Sequence, residues 1–185
     1  MFKTIVGMSL GLLIISCNPD KTKKGIEDLA AIGSGNYISS STDAFINKIL
    51  GSGEGTIRGF DLGDSISKVK TFENLEQFEE TFEHIGYTFS THDGEVVDVL
   101  YYFDTVNTVS EVQLDIYLNT DSVSNNVTWA LSIYFTQKYG TPKVGVNQTW
   151  QIAENQEVII KNIATKIDRG LQVNFKKSNF LKLIP

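Results

Sequence analysis

Val112, Leu114, Ile116 and Leu118 follow one another at a spacing of two, and Val97, Val99, Tyr101 and Phe103 repeat that spacing upstream. Successive side chains of a β-strand point to opposite faces, so each stretch predicts a strand with one buried face. Tyr87 to Thr91 also alternates, and the His92-Asp93-Gly94 turn that separates it from the Val97 stretch predicts a hairpin. Further strands are predicted near Gln148 to Ile152, Glu157 to Ile163 and Leu171 to Phe175.

Other segments carry helical spacing. Phe45, Ile46, Ile49 and Leu50 share one side of a helix from Asp43 to Leu50, which the glycines of Gly51-Ser52-Gly53-Glu54-Gly55 end. Asp64-Ser65-Ile66 and Asp121-Ser122-Val123 both read as helix starts, because Asp and Ser side chains accept from the unpaired amides of a first turn. The two starts are offset by 57 positions, and at that offset Phe72 falls on Trp129, Phe78 on Phe135 and Phe82 on Tyr139, with Gly86 and Gly140 closing the two helical stretches. The expectation is an α+β fold: an antiparallel sheet covered on one face by two helices, built as a tandem repeat of helix plus three strands over about 64–119 and 121–176.

The chain is acidic, with 22 Asp and Glu against 16 Lys and Arg. Nucleic-acid binders need clustered cations to displace counterions from phosphates, so nucleic acid is not expected as a partner. At the N-terminus Lys3 precedes an uncharged run from Thr4 to Ile15, shorter than the roughly 20 apolar residues a spanning helix needs. It reads as a signal peptide. Leu13-Ile14-Ile15-Ser16-Cys17 resembles the lipobox of bacterial lipoproteins. That resemblance implies cleavage after Ser16, diacylglyceryl on the Cys17 sulfur and a further acyl group such as palmitate on its amine. Cys17 is the only cysteine, which leaves no disulfide partner for it. Two or more acyl chains hold a protein stably at a membrane. The expected organisation is thus a signal peptide at 1–16, a lipidated N-terminus and flexible tether at 17–42, and a single α+β domain at 43–185. Asn18, where an aspartate would favour inner-membrane retention, and the lysines Lys21, Lys23 and Lys24 point towards the periplasmic face of the outer membrane.

Patterns for chemistry are few. Gly7-Met8-Ser9-Leu10-Gly11 has the spacing of a nucleophile elbow but lies in the signal peptide. The glycines around Gly59 and Gly63 lack the Gly-Lys-Ser/Thr of a phosphate loop. Of the two histidines, His92 belongs to a turn, and His84 follows Glu76, Glu79, Glu80 and Glu83, which read as the solvated side of an amphipathic helix with Glu80 one turn from His84. Trp129, Trp150, Tyr101, Tyr102 and Tyr117 could line a sugar-binding surface, but at periodic positions they read as core. Asp64-Ser65-Ile66, Asp104-Thr105-Val106 and Asp121-Ser122-Val123 resemble the Asp-Ser/Thr-apolar O-glycosylation sites of some periplasmic proteins. No catalytic, cofactor-binding or metal-ligating residue is nominated; the one modified residue is Cys17.

Gly63-Asp64-Ser65 with Val69, and Tyr139-Gly140-Thr141-Pro142 before Trp150, resemble the helix-start and helix-exit patterns of small envelope proteins related to the β-lactamase inhibitor protein and outer-membrane assembly lipoproteins. The inhibitor's disulfide cysteines are absent. The resemblance implies a protein-binding module. The functional expectation is therefore a non-enzymatic, lipid-anchored envelope protein that holds a protein partner through a sheet edge or an exposed sheet face. The alternative is a glycan-binding protein or hydrolase with a site of scattered carboxylates and aromatics.

Overall fold

A computed structural model describes residues 40–51 and 54–178. In chain order they form α1 (Ser40–Leu50), α2 (Ile66–Phe72), β1 (Glu76–Glu80), β2 (His84–Ser90), β3 (Val96–Phe103), β4 (Val109–Leu118), α3 (Asp121–Tyr139), β5 (Lys143–Val144), β6 (Gln148–Ala153), β7 (Gln156–Asn162) and β8 (Arg169–Lys177). The fold is α+β. One antiparallel sheet runs in the order β1-β2-β3-β4-β8-β7-β6-β5, so two meanders, each preceded by a helix, meet through their last strands.

The alternation read from the sequence becomes the core. Ile85, Tyr101, Val112, Phe175, Val158 and Trp150 are cross-strand partners in one row, and Tyr87, Val99, Leu114, Val173 and Ile160 form the next. Every residue of both rows is buried. Ile46, Ile49 and Leu50 of α1, Ile57, Phe60 and Leu62 of the following loop, and Val127, Leu131 and Phe135 of α3 join the same cluster. The helices meet the sheet loosely. Among the contacts of α3 are Phe135, whose ring lies 5.5 Å from Trp150 and 5.7 Å from Phe175, and Thr136, which accepts from the Trp150 indole.

α3 begins and ends as its local chemistry requires. The Thr120 hydroxyl accepts from the Val123 amide at its N-terminus, so the cap is Thr120, with Asp121 in the first turn. Gly140 closes it at φ 87°, a conformation that disfavours residues bearing a Cβ.

A buried ion pair ties α1 and α2 to the sheet. Arg58 donates through Nε and Nη2 to the two carboxylate oxygens of Glu73, both at 2.9 Å. The Tyr101 hydroxyl donates to the same carboxylate at 2.6 Å, and Arg58 Nη1 donates to the Lys48 and Ile49 carbonyls at the end of α1. Burial alone would raise the Glu73 carboxyl, but the hydrogen bonds and charge of Arg58 with the Tyr101 and Asn74 donors outweigh it and hold the carboxyl below its ordinary range. Burial and the Glu73 charge push the Tyr101 phenol far above the tyrosine range, which keeps it a donor.

Three expectations need correction. The helix expected from Asp64 towards Gly86 is the seven-residue α2, capped by Ser65, and the acidic stretch after it is strand β1 with every residue exposed. Helix spacing in that stretch was accidental: β1 pairs with β2 and bulges between Gln77 and Glu79, which sends Phe78 over Gly86. In consequence the aromatic correspondences at the 57-position offset do not hold as packing. Phe78 is 46% exposed and Phe82 88%, whereas Phe135 is buried. Finally, α1 begins at Ser40, inside the stretch read as tether. The expected signal peptide and lipobox, Cys17 and the rest of the expected tether lie outside the described residues.

Candidate functional site: the open face of the sheet

Strand alternation that sends one set of side chains into the core sends the other to the opposite face. There the cross-strand rows are His84, Tyr102, Glu111, Lys176 and Glu157; then Gly86, Leu100, Gln113, Asn174 and Ile159; then Thr88, Asp98, Asp115, Gln172 and Lys161. Leu100 and Ile159 are buried but stand apart from the main core cluster, as residues of this face should. Tyr117, 43% exposed, extends the face beyond Asp115.

A chain of hydrogen bonds fixes these side chains. Lys161 donates to Gln172 (3.1 Å), Gln172 to Asp115 (2.9 Å), Gln113 to the other Asp115 oxygen (2.8 Å), and Asn174 to both Gln113 (3.1 Å) and Glu111 (2.6 Å). Each amide is oriented by its neighbour: two runs of donors, from Lys161 through Gln172 and from Asn174 through Gln113, converge on Asp115, and a branch from Asn174 ends on Glu111. Asn174 is 2% exposed and its Oδ1 has no partner. Burial raises the Tyr102 and Tyr117 phenols, and neighbouring carboxylates raise them further: Glu111, Asp115, Glu79 and Glu83 around Tyr102, and Asp115, Asp98 and Asp168 around Tyr117.

His84 lies on β2 at this face, where Nε2 meets Glu79 at 2.6 Å and Nδ1 meets the Thr81 hydroxyl at 3.2 Å. The Glu80 expected beside it instead pairs with Lys70. His92 is exposed in the β2–β3 turn. The glycine-rich loop before α2 occupies its own amides: Asp61 accepts from the Thr56 amide and hydroxyl, and Asp64 from the Asp61 amide. That arrangement leaves the anion-loop reading without its donors there. Of the aromatic residues considered for a sugar surface, Trp150 and Tyr101 are core, Tyr102 and Tyr117 share the open face, and Trp129 is 40% exposed on α3.

Among the described residues no group of three or more His, Asp, Glu or Cys is placed to hold a metal ion. No described helix is long and apolar enough to cross a membrane. Ser65 of the first Asp-Ser/Thr-apolar site is occupied as the α2 cap, while Thr105 and Ser122 of the other two are exposed.

The members of this face were visible in the sequence only as the polar half of the alternation. The register of the β3–β4 pairing decides that Asp98 meets Asp115, and the β4–β8 pairing that Asn174 meets Gln113. Compared with protein-family models, with curated proteins and with solved structures, the chain matches none.

Proposed function

We propose that this chain is a lipid-anchored protein-binding module of the cell envelope, tethered through acyl groups on Cys17 at the periplasmic face of the outer membrane and acting as a binder rather than an enzyme. The observation that carries the reading is the open sheet face: rigid, polar, with its amides pre-oriented and two tyrosines standing among carboxylates. Preorganised side chains lose little freedom on binding, and tyrosine provides large contact area at low entropic cost. The resemblance to small envelope binding proteins supports the same class.

The reading extends to the build of the domain as two copies of one unit, helix plus meander. Its support is the strand order, which reads the same from either edge, and the central pair Asp115 and Gln172, hydrogen-bonded across β4 and β8 at a separation of 57 positions, the offset between the two helix starts.

Mass spectrometry of what co-purifies with the tagged, lipidated protein from solubilised native envelopes tests the reading. One stoichiometric partner, absent from a tagged control lipoprotein, is the expected result. Cys17→Ala is expected to abolish detergent-phase partitioning, and unchanged partitioning of that variant would remove the anchor.

A further inference from the structure

Asp98 and Asp115 face each other directly across the β3–β4 ladder. Like charges in that position destabilise a sheet. Among the described residues neither forms an ion pair: Asp98 accepts from the Thr88 hydroxyl at 2.7 Å, and Asp115 accepts from the two glutamine amides. Lys161, the nearest cation in their row, reaches only Gln172. The rest of this half of the face adds Glu111 on β4 and Glu79 on the edge strand, while its lysines, Lys161 and Lys176, stand on β7 and β8.

Three features make this more than a patch of acid. The facing carboxylates are held in place by neutral donors, so their charge is fixed in position and left uncompensated. Tyr117 stands next on the same strand and face, which places a phenol ring where a planar cation could stack while bonding the carboxylates. The buried Asn174 Oδ1 is an acceptor without a donor in the adjoining row.

We propose that the Asp98–Asp115 pair, with Tyr117 beside it, is the receiving site for an arginine side chain of a protein partner, and that the β1–β4 half of the open face docks a cationic surface. The proposal rests on the protein-binding reading and names the chemistry of its partner. A guanidinium fits better than an ammonium, since its planar fork can meet two carboxylates and a ring together.

The geometry predicts a trade of stability for binding. Asp98→Asn removes the repulsion while keeping an acceptor for Thr88, and should raise the melting temperature of the isolated protein by about 1–3 °C. The same variant should weaken binding of a hexa-arginine peptide, titrated by amide NMR at physiological ionic strength, by about tenfold, as lost charge-assisted hydrogen bonds do. Tyr117→Ala should also weaken it, and hexa-lysine should bind less tightly than hexa-arginine. A control of equal charge loss, Asp43→Asn at the exposed first turn of α1, should change the affinity less than twofold.

Several results would overturn the site: no peptide binding at millimolar concentration, equal weakening by the control, shifts scattered outside strands β3, β4 and β8, a lower melting temperature for Asp98→Asn, or occupation of the pair by calcium in preference to the peptide. If Asp98→Asn with Asp115→Asn still captures a stoichiometric native partner from envelopes, the arginine site is wrong and the binding-module reading stands. If the unaltered protein captures none, the broader reading fails instead.

Discussion

Glu73→Ala is expected to lower unfolding stability by about 3–5 kcal/mol, since removing one partner of a buried pair strands the other charge away from water. The Glu73 side chain is 3% exposed and that of Arg58 10%, so solvent cannot replace the lost carboxylate without the loop opening. The loss is felt by three elements and the loop that carries Arg58: the Arg58 side chain and amide bond the carbonyls at the end of α1, Glu73 closes α2, and Tyr101 belongs to β3. Natural domains hold about 5–15 kcal/mol in total, so a chemical denaturation curve should show the midpoint falling by a large fraction. Removing all three polar members together, with Arg58→Met, Glu73→Leu and Tyr101→Phe, should recover most of the loss, because no buried charge is then stranded and only the Lys48 and Ile49 carbonyls lose a donor. A triple variant as unstable as Glu73→Ala would show that the α1 carbonyls, and not the stranded charge, dominate.

The same pair sets an acid sensitivity whose sign is fixed. The folded protein holds the Glu73 carboxyl below its ordinary value of 4.5, so the unfolded chain binds the proton more readily. The contribution of Glu73 is therefore complete above the unfolded value and is lost as pH falls through the folded one. Against the unaltered protein, Glu73→Gln should flatten the stability profile in that acid window and leave its shape at neutral pH unchanged.

The strands were legible where one face is dry. β3, β4, β7 and β8 each contribute a run of buried side chains at a spacing of two, and their positions in the sheet follow those of the sequence pattern closely. β1 was not legible, for a physical reason: Glu76 to Glu80 is an edge strand with all its residues exposed, so neither face imposes a period, and four Glu and Gln residues around a phenylalanine suit a helix surface equally well. α2 is short because Glu73 leaves the helix at φ −69°, ψ 128°. That exit brings its carboxylate to Arg58, a tertiary demand that local spacing does not carry. The open face shows the same limit. Alternation assigns Asp98, Gln113, Asp115 and Asn174 to the polar side, but the meeting of Asp98 with Asp115 depends on the register of β3 on β4, and that of Asn174 with Gln113 on the pairing of two strands far apart in the chain.

Phe135→Ala should remove about 3–5 kcal/mol, the cost of a large cavity in a packed aromatic cluster. Its ring meets Tyr139 at 6.1 Å in a stacked arrangement and Trp150 and Phe175 at 5.5 and 5.7 Å in tilted and edge-on ones. The same ring thus meets Trp150 of β6 and Phe175 of β8, so the variant should also lose near-ultraviolet dichroism from Trp150 as the indole gains freedom. Phe135→Leu, which keeps part of the volume, should show a smaller loss of the same kind and remain folded if the alanine variant does not. Phe82, 88% exposed, stands among solvent-facing residues, so Phe82→Ala should stay within about 0.5 kcal/mol of the unaltered protein. Phe78 provides the sharper comparison, because the 57-position offset aligns it with Phe135. Its ring lies over Gly86, where a Cβ would come within 2.6 Å of its Cζ atom. Phe78→Ala should therefore cost far less than Phe135→Ala, while Gly86→Val should displace the Phe78 ring. If Phe78→Ala matched Phe135→Ala, the first half of the domain would pack its aromatic as the second does, and β1 would have to be reassigned from the edge of the sheet to the helix its spacing suggested.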